Sequence, residues 1–120
     1  MKYMIMTFGE ASTMLETQDP DWIRGMIQFM TDLDAELRES GELVLAEGLT
    51  DGSQAKTVRF IDGAPVPTDG PFAESKESLV GFWIVDVDSE DRALAIASRI
   101  VDVVHQGIEV RRVADAPPEV

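Results

Sequence analysis

Between Thr68 and Glu77 the chain gathers Asp69, Glu74, Lys76 and Glu77 around Gly70, Pro71 and Phe72. Glycine admits positive φ and proline holds φ at about −65°, so the backbone turns sharply here, and turns of this make often carry sites. Asp69 is the first candidate for moving a proton. Lys76, beside Glu74, could hold an anion, and Phe72 supplies an apolar anchor. Each has a plainer use. Asp69 precedes Gly-Pro and can cap neighbouring N–H groups as an Asx-type turn. A Glu74–Lys76 loop ion pair contributes roughly 0–1 kcal/mol if exposed.

Glu47 is the second candidate acid or base. In a strand over Glu42–Leu49, strict alternation puts Leu43, Leu45, Glu47 and Leu49 on one face and Val44, Ala46 and Gly48 on the other. A carboxylate held among leucines is suited to proton transfer. Equally, a twist or bulge at Gly48 would turn it to solvent. Arg111, on the last strand, could grip a carboxylate with two parallel hydrogen bonds, or be an ordinary surface arginine. The single histidine, His105, falls at a helix C-terminus, where a cation meets the negative end of the dipole. With no cysteine and one histidine, a zinc site would need converging carboxylates, and no spacing suggests one. Phosphate-loop, nucleophile-elbow and dinucleotide signatures are absent, so neither metal nor cofactor is expected.

The elements that must position these residues follow from the hydropathy pattern. Lys2–Phe8 is a strand with Tyr3 and Ile5 on one face and Met4, Met6 and Phe8 on the other, hence central. A polar loop, Gly9–Gln18, carries Met14 and Leu15, which either dip into the core or cover a cavity. Asp19-Pro20 starts a helix, and Gly41 ends it. Its apolar stripe is Trp22, Met26, Ile27, Met30, Leu33 and Leu37, and Asp34 with Arg38 forms an i,i+4 pair. Asp62-Gly63 joins two short strands, Lys56–Ile61 and Ala64–Thr68, the second confined to an edge by Pro65 and Pro67. Leu79–Val87 is another central strand, in which Gly81 marks a bulge or a close approach. A second helix capped by Asp88 or Ser89 buries Ala93, Leu94, Ala97, Ile100, Val101 and Val104; a strand over Ile108–Val113 closes the chain.

The totals set bounds. A chain of 120 residues, 44% apolar and 28% charged, makes one folded domain, here residues 1–115 with a loose tail at 116–120. The formal net charge of −13 argues against nucleic acid and anionic membranes as partners. Met1–Phe8 is too short for a signal peptide and no window spans a bilayer, so the expected location is the cytoplasm.

The order β-α-β-(hairpin)-β-α-β with right-handed crossovers predicts an α+β fold, a ferredoxin-like antiparallel sheet with both helices on one face. Two strands are apolar on both faces, so the open face needs cover. A second copy, sheet to sheet about a twofold axis, would provide it, and a homodimer is expected.

The run from Asp69 to Glu77 resembles the signature of the DGPF branch of the YCII-related family, with Ser75 where that pattern usually has Thr. The likeness extends to Lys2-Tyr3-Met4, Glu47-Gly48-Leu49, Thr57-Val58-Arg59, Gly81-Phe82-Trp83 and Glu109-Val110-Arg111, with Arg112 where Pro is usual. The resemblance implies a dimeric α/β barrel. YCII-related proteins are associated with a His–Asp pair; Asp69 matches the Asp, and no histidine matches its partner. Two readings follow. One is a small enzyme doing acid–base chemistry on an anionic organic molecule in a cleft near this loop, through Asp69, Glu47 and Lys76. The other is a non-catalytic module binding a metabolite or protein, linked to sigma-factor regulation.

Overall fold

The computed structural model describes residues 1–9, 17–72 and 78–118. Strands β1 (Lys2–Gly9), β2 (Leu43–Gly48), β5 (Ser78–Asp86) and β6 (Ile108–Arg112) form one sheet in the order β2-β5-β1-β6. Each neighbouring pair is antiparallel. Helices α1 (Pro20–Glu39) and α2 (Glu90–Val104) supply the crossovers, and β3 (Lys56–Ile61) pairs with β4 (Ala64–Asp69) in a separate two-stranded sheet. The chain has the expected α+β, ferredoxin-like order, with β1 and β5 central.

Local chemistry explains the element ends. The Asp19 carboxylate accepts the Asp21 N–H at 2.7 Å, and Pro20 opens α1 where a missing N–H costs nothing. Ser89, the second of the two expected caps, accepts from the Arg92 N–H. At the other end of α2, His105 adopts φ 56° and donates its N–H to the Val101 carbonyl. His105 thus stands at the helix C-terminus, as expected, in a left-handed cap conformation that falls most often to glycine. Asp62 and Gly63 both have positive φ (51° and 79°), as the two-residue hairpin turn requires.

The core lies between the sheet and the helices. Tyr3, Ile5, Trp83, Val85, Leu33, Leu37, Ala93, Ile96, Ala97 and Ile100 are buried. The α1 stripe is narrower than periodicity suggests, with Ile27 exposed, and the α2 stripe is rotated: Leu94 is exposed and Ile96 fully buried. A helix packed on a flat sheet hides only the arc touching it. Glu42 and Arg92 join the start of β2 to the start of α2 through two parallel hydrogen bonds, Nε to Oε2 at 2.8 Å and an Nη to Oε1 at 2.9 Å. The Arg92 bonds, helped by the Ser40 hydroxyl and opposed by desolvation, lower the Glu42 pKa from 4.5 to about 2.

Strict alternation fails in β2. Leu43 pairs with Val85 and Leu45 with Ile84, which makes Val44 an extra residue at a bulge. Leu43, Ala46 and Gly48 therefore share the helix side, while Leu45 and Glu47 lie on the open face. Expected to sit on one face, Leu43 and Glu47 are on opposite ones.

Candidate functional site

Cross-strand partners share a face, so the register gives the sheet surface row by row. On the helix side one row reads Ala46, Trp83, Ile5, Val110, and the next reads Gly48, Gly81, Thr7, Ile108. The second row has no side chains at its two glycines. A Cβ on Gly81 would come within 3.2 Å of the Glu47 carbonyl oxygen and 3.4 Å of Thr7 Oγ1. Beside it, Phe8 pairs with Leu79 after Thr7 pairs with Gly81, which leaves Val80 as a bulge. The bare row and the bulge open a cavity of about 400 Å³ between α1 and the sheet.

Met26, Met30 and Asp34 stand over this cavity from successive turns of α1, at i, i+4 and i+8. Trp83 forms a wall and Phe8 and Val80 one side; Val104, Gln106, Gly107 and Ile108 close another. Asp34 is half-buried, and its Oδ1 accepts the indole N–H of Trp83 at 2.8 Å. The expected Asp34–Arg38 ion pair does not form: the carboxylate turns toward the sheet, where the buried Trp83 donor outweighs a solvent-exposed arginine. Thr7 Oγ1 donates to the Gly81 carbonyl at 3.2 Å. The result is an apolar chamber with one oriented carboxylate, able to accept a hydrogen bond or a proton from a small molecule.

The residues nominated from sequence are dispersed. Glu47 borders the cavity, but the register puts its side chain with Phe82 on the open face, where it is exposed and has no ion pair or hydrogen bond to another described residue. Asp69 ends β4 with its side chain 92% exposed, and it accepts a hydrogen bond from Lys56 Nζ. Phe72 is exposed beneath the Arg59 guanidinium, 5.5 Å from the ring centroid, and borders a separate, more open hollow of about 560 Å³ with Pro71, Lys56 and Val58. Phe8 lines both hollows. Arg111 pairs with Glu109 at 3.4 Å on the open face, opposite Met4. Glu74 and Lys76 lie outside the described residues, as do Met14, Leu15 and the last two residues of the tail. Among the described residues no cluster of three or more His, Asp or Glu could hold a metal ion. No helix is long and apolar enough to cross a membrane.

Sequence reasoning missed Asp34. One signal was legible: it continues the Met26–Met30 row of α1, so it lies on the helix's apolar side. Gly48 and Gly81 were visible as well, but their alignment into one bare row depends on strand register.

Fold and site together define a ferredoxin-like α+β protein with an apolar chamber beneath its first helix. The chain matches the YCII-related domain over residues 1–116 and belongs to that family. It is 42% identical over 71 residues to an uncharacterised protein of Rhizobium meliloti (strain 1021), a match spanning 57% of this chain and 57% of that protein's length.

Proposed function

We propose that this YCII-related protein binds a small organic molecule in the chamber beneath α1, with Asp34 as the group that accepts its polar hydrogen. The observation carrying this reading is the bare Gly48–Gly81 row beside Trp83 and beneath Asp34, which leaves about 400 Å³ where a packed core would have side chains. Trp83 orients one carboxylate oxygen and leaves the other without a described partner. Acid–base chemistry on the bound molecule would pass through that second oxygen. Asp69, Glu47 and Arg111 are secondary in this reading, because none has its side chain in the chamber.

The test is a thermal-shift screen of small organic molecules on the wild type, Gly81→Leu and Asp69→Asn. A leucine at 81 fills the chamber, so stabilising compounds should lose their effect there and keep it with Asp69→Asn. Compounds whose effect survives Gly81→Leu but is lost with Asp69→Asn would move the site to the Gly70–Pro71 turn.

The same chain is proposed to pair with a second copy through the open sheet face, and to belong to the DGPF branch on the strength of Asp69-Gly70-Pro71-Phe72. Two rows support the pairing. Glu47, Phe82, Met6 and Glu109 form one, and Leu45, Ile84, Met4 and Arg111 the other, apolar at the centre and charged at three of the four margins. Homodimer interfaces have this apolar-core, polar-rim layout. Sedimentation of the wild type at twice the 13.2 kDa chain mass, and of Phe82→Glu at the single-chain mass, is the expected result.

A further inference from the structure

We infer that the ligand of this chamber is a small organic cation, an amine carried on a compact apolar body; the inference rests on the chamber being a binding site. Asp34 and Glu47 are the charged residues among its described lining, both acidic, and Asp34 is the one whose side chain faces inward. No lysine, arginine or histidine is among the described lining residues, and no described cation pairs with Asp34. A half-buried carboxylate without a counter-ion is costly unless a charged donor meets it. The indole N–H of Trp83 satisfies one oxygen as a neutral donor and supplies no counter-charge. An ammonium group on the other oxygen would complete the pair with a charge-assisted hydrogen bond.

The walls fit the rest of such a molecule. Met26, Met30, Val104 and Ile108 are apolar, and Phe8 and Trp83 offer ring surface to both an apolar body and a cation. An anion would meet the opposite: a carboxylate with no described cation beside it, in a chain with net charge −13. The sign is thus the reverse of the anionic ligand expected from Lys76 and Arg111.

Three probes share one body: 2-phenylethylamine, 2-phenylethanol and 3-phenylpropanoate. Calorimetric titration of the wild type at neutral pH should rank the amine first, at least ~tenfold tighter than the alcohol, with the carboxylate weakest. Asp34→Asn, which keeps an oxygen for the Trp83 N–H, should cost the amine ~tenfold or more and leave the alcohol within about twofold. Amine and alcohol binding equally, or the carboxylate binding best, overturns the cation assignment while leaving the chamber as a site, provided Gly81→Leu abolishes that binding. No saturable binding by any of the three overturns both. If Asp34→Asn does not fold, the ranking on the wild type still decides the matter.

Discussion

The helix-covered side of the main sheet and the β3–β4 hairpin are built from similar strands and have opposite surfaces. In the main sheet, side chains meet two helices, and Ile5, Val85, Leu33 and Leu37 have almost no contact with solvent. In the hairpin, Val58, Phe60, Pro65 and Pro67 share one face by register, and Phe60 is 79% exposed and Val58 64%. Charge follows the same division. Asp34 is half-buried with a neutral donor, whereas Asp69 stands in solvent with Lys56 as its partner. A segment rich in ionisable residues marks where charge is cheap to keep. A single carboxylate on an apolar stripe marks where a polar group needs a specific donor to be held.

That contrast can be broken most directly by truncation. Leu37→Ala should cost about 3 kcal/mol by chemical denaturation, because it empties a closed core site. Phe60→Ala should change the stability of the single chain by less than ~0.5 kcal/mol. A loss at Phe60 near that of Leu37 would mean that something covers the hairpin in solution. Its dependence on protein concentration would show whether a second copy does so.

Gly81→Leu comes next, at roughly 1–3 kcal/mol, since its side chain enters the chamber against the Glu47 carbonyl and Thr7. A stability unchanged from wild type, with probe binding intact, would show that the chamber is not where the register puts it.

Glu42→Gln sharpens the electrostatic half. Its folded pKa, near 2, lies below the ordinary 4.5, so the stability it contributes is present above pH 4.5 and is lost as pH falls toward 2. The substitution should cost roughly 1–2 kcal/mol at neutral pH, a discounted figure because the Arg92 side chain is 40% exposed. It should also flatten the fall in stability between those pH values. An acid profile identical to wild type would remove Glu42 from that role.

Lys56→Ala anchors the small end. The pair it forms with Asp69 is exposed on both sides, so the change should stay within ~0.5 kcal/mol and weaken further in salt. A larger loss would make the hairpin ion pair structural and narrow the contrast between the two regions.

Much of the fold is legible in the residues alone. Helix starts at Asp19-Pro20 and at Asp88 or Ser89, the turn at Asp62-Gly63 and the central position of the strands containing Tyr3 and Trp83 follow from caps, turn residues and periodicity, which act within a few residues. The order of those elements leaves few topologies, and the ferredoxin-like one is realised. What failed to carry over is informative. One extra residue at Val44 breaks strict alternation in β2, and Asp34, whose spacing from Arg38 suits a surface pair, turns to Trp83 instead.

The sequence by itself determined which segments are helices and strands and the order in which they are joined, because those depend on short-range propensity and on burying apolar faces. Only the tertiary structure decided that Gly48, Gly81 and Thr7 fall in one row under Met26, Met30 and Asp34. That coincidence joins residues dozens of positions apart through strand register and helix placement, and register shifts by a whole face when a single residue bulges out.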